Sequence, residues 1–286
     1  MSLTKITDAD GRRIPGRQLV LRYGLLLAVL ALTVGPFLWQ LSTSLKGPHE
    51  DIFSSPPAFL PGEPTLDNYA RVARTIPVWD YALNSLKVAA ANVLTNCVGS
   101  ALAGYALARM RYRGRRAATL VFILAMLVPV EGIIIAQFTT MRDLGLNNTL
   151  IAVLLPGCIA AMNVLLMRNA FLNLPHEVEE AAFVDGATAW QRFLRIALPS
   201  VKGTLAVVAI FAFMGAWDDF LWPLIVLSDP ENFTLTIGLN YLHGTFANDE
   251  RLVAAGTVIA VLPLIVLFAC LQRFFFRGVG EGAVKG

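Results

Sequence analysis

The sequence predicts an all-α membrane protein with six transmembrane helices, and two observations support that fold class. Of its 286 residues, 56% are hydrophobic and 15% charged, and the mean hydropathy of +0.61 exceeds what a water-soluble core of this length needs. The apolar residues also lie in long runs, each close to the ~20 residues with which a helix crosses ~30 Å of hydrocarbon. We expect a cytoplasmic segment 1–23, a membrane domain 24–272 and a cytoplasmic tail 273–286.

Six apolar runs are the predicted spans, and an even number places both termini on one side: Gly24–Thr43, Leu86–Ala108, Ala117–Phe138, Thr149–Ala170, Val201–Val226 and Leu252–Gln272. Basic residues flank the first and last spans and fill the loop between the second and third, and short loops of this kind stay in the cytoplasm. They are Arg12, Arg13, Arg17, Arg22, Arg109, Arg111, Arg113, Arg115, Arg116, Arg273, Arg277 and Lys285. The chain is therefore expected to be a multi-pass protein of the plasma or inner membrane with both termini cytoplasmic. Topology control alone accounts for the arginines between 109 and 116.

Polar side chains and helix-breaking residues interrupt these spans. Asn92 and Asn96 lie in the second span, and prolines occur in four others, at Pro36, Pro129, Pro156 and Pro263. Such groups are costly in hydrocarbon unless they face protein or water. They favour a solute pathway over a simple anchor.

Further pathway candidates lie near the predicted outer ends of two spans. Glu131 follows Pro129 in the third span, where it is either a gate element or a structural cap. The fifth span carries aromatic residues beside carboxylates, a composition that suits sugar stacking and that an interfacial aromatic belt predicts equally: Trp217, Asp218, Asp219 and Trp222.

The inward-facing segment 173–199 is helical in character but too charged to cross the membrane. Pro175 fits a first helical turn, and three glutamates follow it at the positive end of the helix dipole. An apolar stripe then recurs at helical spacing, and it needs another surface to cover it: Phe183, Ala187, Trp190 and Leu194. Gly186 is expected to separate two short helices, and Pro199 to end the second. A helix lying on the membrane surface is disfavoured, because such helices have a basic polar face.

This segment resembles the EAA loop of permease subunits in binding-protein-dependent ABC importers. The matching residues have that motif's spacing throughout: Glu180, Ala181, Ala182, Gly186, Ile196, Leu198 and Pro199. Shorter matches resemble the maltose-type carbohydrate permeases of that family, namely Ser44-Leu45-Lys46, Asn84-Ser85-Leu86, Tyr105 to Arg109, Trp217 to Phe220 and Gly282 to Gly286. Gly203 departs from the pattern, since many relatives have a proline there.

The resemblance implies the type I ABC importer permease fold and a set of roles. Segment 173–199 would be a coupling loop that seats on an ATP-binding subunit, with Glu180 as anchor, Gly186 as turn and Asp185 beside it. The partners implied are a second permease, two ATP-binding subunits that carry ATP and Mg, a solute-binding protein and a carbohydrate-like substrate. The external segment Thr236–Glu250 would contact the solute-binding protein through Gly238, Asn240 and Gly244.

Other functions are disfavoured by residues the sequence lacks. There is no G-x-x-x-x-G-K-[ST] in it, so ATP hydrolysis through a P-loop belongs to a partner, and we expect no cofactor bound by this chain. The three histidines and three cysteines form no metal-site or nucleophile motif. A basic groove with interleaved aromatics, typical of nucleic-acid binding, does not occur. The alternatives that remain are an ion-gradient-driven secondary transporter, for which internal repeats would be expected, and a membrane enzyme or scaffold.

Overall fold

The structure is a computed structural model that describes residues 16–52, 58–245 and 249–283. Some of the predictions concern residues outside these ranges, among them Arg12, Arg13 and the terminal Val284, Lys285 and Gly286. The regular structure in the described ranges is helical, which confirms the all-α class. The chain divides into two compact units, Met1–Val72 with Phe246–Val258 and Ala73–Thr245 with Ile259–Gly286.

The first unit contains one long apolar helix and a compact polar knot. Helix α1 (Gly16–Ser44) buries only its last three residues, which is expected of a helix whose surroundings are lipid or another chain. After it, the side chain of Lys46 is fully buried, donates to the carbonyl oxygen of Ala58 at 2.6 Å and lies 4.6 Å from the Trp39 ring centroid. Asn68, at the start of helix α2 (Asp67–Thr75), donates to the carbonyl oxygens of Ser44 and Lys46 at 2.9 Å.

Glu50 organises the surface loop of the same unit. Its Oε1 accepts the backbone N–H of Glu63 at 2.8 Å and, more weakly, that of Gly47 at 3.4 Å. The bond from Glu63 lowers the pKa of the Glu50 carboxyl below its ordinary value, because it favours the charged form. Arg71 and Asp249 form an ion pair at 2.6 Å that closes the unit.

The second unit is built around helix α3 (Val78–Arg109), against which the helices Ala161–Leu172 and Lys202–Trp217 pack most extensively. Segment 173–199, the predicted coupling loop, is called the coupling segment below. The helices before it are α4 (Arg115–Ala125), α5 (Ile134–Asp143), α6 (Leu150–Leu154) and α7 (Ala161–Leu172). Those of the coupling segment are α8 (His176–Val184), α9 (Ala189–Arg192) and α10 (Leu198–Ser200). The remaining helices are α11 (Lys202–Trp217), α12 (Leu221–Val226), α13 (Leu235–Thr245) and α14 (Glu250–Ala283), the last of which begins in the first unit.

Bends divide several of the predicted spans. By length and composition, three described helices could cross a membrane, or as many as six elements if each bent pair counts as one span. The predicted third span is not one straight helix, because α4 and the segment Val130–Asp143 meet at 93° across Pro129. Proline lacks an N–H and disfavours helical backbone before it, so the break falls there. The predicted fifth span is likewise two helices, α11 and α12, separated by residues 218–220.

Close approach of α3 and α7 depends on small residues. A Cβ on Gly104 would lie 2.7 Å from the Cβ of Met167 and 2.8 Å from the backbone nitrogen of Arg168. The two backbones can be this near only because Gly104 has no side chain, which is the usual basis of tight helix pairs in membranes. Tyr105, one residue on, packs against Phe171 and Phe193 with ring centroids 5.4 and 5.1 Å away.

The coupling segment folds as two helical pieces joined at Gly186. Helix α8 begins at His176, one residue after Pro175, and Gly186 has a φ of +81°, a left-handed conformation that glycine adopts at little cost. Thr188 then forms a capping box with Gln191 at the start of α9. A π-helical turn, Phe193–Ala197, joins α9 to α10. Pro199 lies inside this second piece and does not end it, because the break before α11 falls at Val201, where the bend is 79°.

Candidate functional site

A cavity of about 610 Å³ opens beside α3 in the second unit. Most of its lining is apolar, with residues from α3, α5, α7, α11 and α12. Of the predicted pathway residues, Asn92, Asn96, Asp219 and Trp222 line the cavity, and Gln137 and Asn163 are polar lining groups that the sequence analysis did not single out. A largely apolar cavity with a few converging polar groups is the usual form of a small-molecule site.

The two asparagines predicted for the pathway hold helices together. The Asn96 amide donates to the carbonyl oxygen of Gly157 at 2.9 Å, and its Oδ1 accepts the N–H of Ala160 at 2.8 Å and the Asn163 amide at 2.9 Å. Gly157 and Ala160 flank the break between α6 and α7, where helical hydrogen bonds are lost. The Asn96 side chain therefore replaces the missing bonds, as polar residues do at broken membrane helices.

Asn92 has a similar role one turn earlier. Its amide donates to the carbonyl oxygen of Ala212 in α11 at 2.8 Å, and its Oδ1 accepts from the Asn96 amide at 3.0 Å. Both asparagines border the cavity, but these bonds occupy the Asn92 and Asn96 amides. Both asparagines therefore join helices at the wall of the cavity, and their place in a solute pathway stays a prediction.

The two tryptophans predicted to stack on sugar or to form an interfacial belt each bond to another helix, and Trp222 also lines the cavity. The indole N–H of Trp217 donates to the carbonyl oxygen of Ala260 at 3.0 Å, and that of Trp222 donates to Ala152 at 3.0 Å. Both rings are buried, at 4% and 6% exposure, which makes them links between helices. The neighbouring Asp218 is exposed, whereas Asp219 borders the cavity.

Glu131 lies in the 3-10 turn Val130–Ile133, at the sharp bend between α4 and α5. Its side chain is exposed, while Val130 and Ile133 on the same turn line the cavity. The choice between gate element and structural cap stays open for this residue.

The coupling segment presents its predicted anchor and most of its apolar stripe to the surroundings. Glu180, Ala181 and Asp185 are exposed, and Ala182 is half-buried. Phe183 and Trp190 are 65% and 58% exposed, a large apolar area for a segment outside the membrane spans. At its far end, Ile196 and Leu198 are half-buried and Pro199 is exposed. Leu198 packs on the buried cluster that contains Tyr105, Phe171 and Phe193, which we call the Tyr105 core.

One acidic side chain of this segment is buried, and its partner was not predicted from the sequence. Glu179, next to the predicted anchor, is buried and forms an ion pair between its Oε1 and the Nε of Arg109 at 3.5 Å. The Arg109 side chain is only 3% exposed, so topology control does not describe this arginine, although it still suits the exposed Arg111. Glu179 and Glu180 are adjacent on one helix, so their side chains point in different directions. With Glu180 facing outward in the EAA motif, this adjacency was the sequence signal that Glu179 faces elsewhere.

Helix α13 carries the residues predicted to contact a solute-binding protein. Gly238 is buried, and a Cβ there would overlap the Tyr81 ring, so this glycine serves close packing against α3 and has no free surface. Asn240 and Gly244 are exposed. The predicted contact with a solute-binding protein therefore stays a prediction for Asn240 and Gly244 alone.

Residues 97–281 match the family of binding-protein-dependent transport system inner membrane components. The chain belongs to this family. Within it, the chain is 35% identical to the arabinooligosaccharides transport system permease protein AraQ of Halalkalibacterium halodurans over 80% of this chain and 82% of the relative. It is 31% identical to the lactose transport system permease protein LacG of Rhizobium radiobacter over 96% and 98%. These matches confirm the resemblance to carbohydrate permeases of ABC importers.

A solved structure supports the fold of this inner membrane component. The crystal structure of a bacterial ABC transporter involved in the import of the acidic polysaccharide alginate matches with a TM-score of 0.80 and 25% identity, covering 95% of this chain and 100% of that one. The importer permease fold expected from the sequence is thereby confirmed.

Proposed function

We propose that this chain is the membrane permease subunit of an ABC importer that moves a carbohydrate or carbohydrate-like solute inward by alternating access. Its family, its relatives and the importer fold support that function. The chain would be non-catalytic. Its partners would be a second homologous permease, two ATP-binding subunits that bind ATP and Mg, and a solute-binding protein outside the cell.

The observation that carries the coupling part of this proposal is the exposure of α8 and α9. Their large exposed side chains, Phe183 and Trp190, lie with Glu180 on a segment whose base is fixed in the Tyr105 core. An apolar surface rimmed by acidic residues is suited to docking on another protein, and a fixed base is what force transmission requires. We therefore assign segment 173–199 as the contact with the ATP-binding subunit.

The cavity beside α3 is the proposed solute pathway of this subunit. Gln137 and Asp219 are polar groups in its lining through which hydroxyl groups of a solute could bind, whereas the Asn163 amide is bonded to Asn96. Its apolar remainder suits the carbon faces of sugar rings. Relatives named for arabinooligosaccharides, diacetylchitobiose and lactose support an oligosaccharide or disaccharide as the class of solute.

The coupling assignment is tested with Glu180→Lys and Gly186→Val in the importer purified with its partners. Glu180→Lys reverses a charge in the proposed contact, and Gly186→Val places a branched side chain at a φ of +81°. We expect the ATP-binding subunit to be lost from the purified complex, and uptake of labelled arabinotriose, diacetylchitobiose or lactose to fall to background.

Two matched variants control for charge and strain. Glu231→Lys makes the same charge change at an exposed position outside segment 173–199, and Gly145→Val creates the same kind of strain at a φ of +70° in another loop. Both should keep the ATP-binding subunit. Normal assembly and uptake in Glu180→Lys and Gly186→Val would refute the coupling assignment. Uptake that follows an ion gradient without ATP would support the secondary transporter instead.

A further inference from the structure

A single guanidinium group joins three elements of the second unit. Arg109, the last residue of α3, donates from Nε to the carbonyl oxygen of Phe171 at 2.9 Å and from a terminal nitrogen to the same oxygen at 2.7 Å. It also donates to the carbonyl oxygen of Leu174, and another terminal nitrogen lies 2.7 Å from Nδ1 of His176. With the Glu179 ion pair, these contacts form what we call the Arg109 clip: Arg109, Phe171, Leu174, His176 and Glu179.

The chemistry of each contact suits a permanent cation. Phe171 and Leu174 lie at the end of α7, where helix carbonyl oxygens lack partners and the helix dipole favours positive charge. Glu179 lies in the first half of α8 and supplies the counter-charge. Its Oε1 is an ion-pair partner at 3.5 Å and accepts no hydrogen bond from Arg109, because Nε already donates to Phe171. Tyr105 completes the site by donating to the other carboxylate oxygen at 3.4 Å.

Helix α8 depends on this clip for its attachment. Of its nine residues, all of which the structure describes, only Glu179 is buried. Apart from the half-buried Ala182, the other residues of α8 are exposed, so little apolar packing fixes the helix to α3 or α7. The second coupling piece is different, since Phe193 and Ala197 are buried in the Tyr105 core.

We infer that Arg109 is a positioning residue for energy coupling, through which the first coupling helix moves as one body with α3 and α7. This inference rests on the proposed function. Without the clip, α8 would still bind the ATP-binding subunit through its exposed face, but its displacement would no longer be passed to the helices that border the cavity. Arg109 thus acts on transport through Glu179 and two carbonyl oxygens and touches no solute.

The test measures ATP hydrolysis and helix movement separately in the importer purified with its partners and reconstituted in lipid. The reporter is Gln137→Cys in the cavity lining, in a chain whose Cys97, Cys158 and Cys270 are changed to alanine, with a maleimide as probe. The rate of maleimide reaction is compared without nucleotide and with ATP and vanadate, so no solute is needed. Arg109→Gln and Glu179→Gln are compared with Arg111→Gln and Glu231→Gln, which remove the same charges from exposed positions outside segment 173–199.

We expect Arg109→Gln to retain the ATP-binding subunit and its ATP hydrolysis while the nucleotide-dependent change in labelling falls at least about fivefold, a size typical of residues that carry coupling between sites. Glu179→Gln leaves the carbonyl contacts in place and should lose less, and Arg109→Lys should recover part of the change. The two control variants should match the unmodified importer. A role confined to folding would lower assembly, hydrolysis and labelling together.

Two results overturn the inference. One is a full labelling change in Arg109→Gln, and the other is a loss that merely parallels loss of the ATP-binding subunit in both clip variants. Failure of the proposed function is recognised separately, because then the unmodified chain itself would neither retain an ATP-binding subunit nor respond to ATP.

Discussion

Asn96→Ala should loosen the junction between α6 and α7 without disturbing α3 itself. At the junction the substitution leaves three polar groups without their described partner: the carbonyl oxygen of Gly157, the N–H of Ala160 and the amide of Asn163, which are now bonded at 2.8–2.9 Å. It also removes the amide that donates to Asn92 Oδ1 at 3.0 Å within α3. A buried polar group left unsatisfied costs about 1–3 kcal/mol, whereas hydrogen bonds between membrane helices average about 0.6 kcal/mol. Three groups between these limits predict a loss of about 2–5 kcal/mol in the free energy of unfolding.

The magnitude can be measured by titrating the purified chain from a lipid-like micelle into sodium dodecyl sulfate and following helicity by circular dichroism. Thr95→Ala is the matched control, because the Thr95 hydroxyl bonds only to carbonyl oxygens of its own helix, Ala91 and Asn92. We expect it to cost less than about 0.5 kcal/mol, since alanine favours the helix. Asn163→Ala removes one of the three bonds and should lie between the two variants.

Amide exchange gives a second readout at the junction. The N–H of Ala160 should exchange faster in Asn96→Ala than in the unmodified chain, because its acceptor is gone, while amides in the middle of α3 should be unchanged. If Asn96→Ala unfolds within about 0.5 kcal/mol of Thr95→Ala and Ala160 keeps its protection, the joining role of Asn96 is refuted.

Three further predictions concern packing, a turn and pH. Gly104→Ala should lower the thermal midpoint of the purified chain by overpacking the α3–α7 contact, at a cost of about 1–3 kcal/mol, whereas Gly215→Ala, with nothing within 4 Å, should be neutral or stabilising; equal midpoints would contradict the close approach. Asn148 has a φ of 60°, and its side chain accepts the N–H groups of Ser228 and Asp229 at 2.9 Å. Both Asn148→Ala and Asn148→Gly lose these bonds, but only alanine is strained at this φ, so Asn148→Ala should be less stable by about 1 kcal/mol in the same melt. The reverse order would show that backbone strain does not matter there. Because the pKa of Glu50 is lowered in the folded chain, its contribution to stability is present above the ordinary carboxyl pKa and is lost as the pH falls through the folded pKa. The difference in midpoint between the unmodified chain and Glu50→Gln should therefore vanish under acidic conditions, and a difference that persists would count against the Glu63 hydrogen bond.

Patterns that depend on the local chain were predictable from the sequence. Long apolar runs predicted helical membrane spans, and the EAA spacing predicted two helices separated at Gly186, which the structure describes with a left-handed glycine there. The positions of the bends were less accessible. Pro129 was recognised as an interruption, but proline spacing alone does not distinguish a kink from the 93° bend between α4 and α5, because the angle depends on the neighbouring helices.

The functions of single polar residues were harder to predict, because they depend on partners distant in sequence. Asn96 was expected in a pathway, and its actual partners lie more than 60 residues away at a helix break whose geometry the sequence does not contain. Trp217 and Trp222 posed the same difficulty, since stacking, belt and interhelical roles have the same composition. Arg109 was grouped with its basic neighbours, although burial separates it from them, and burial is a tertiary property.

The π-helical turn Phe193–Ala197 sets the rotation of α10 relative to α9, which carries part of the proposed docking surface. Such a turn holds one more residue than an α-helical turn, so the side chains of α10, before the break at Val201, are rotated by about 100° relative to an uninterrupted helix. A lineage that lost one codon here would regain regular geometry and keep its hydrophobicity, yet the surfaces before and after the turn would point in new directions. Selection for this orientation would therefore keep the number of residues in the turn constant, even where the residues themselves can vary.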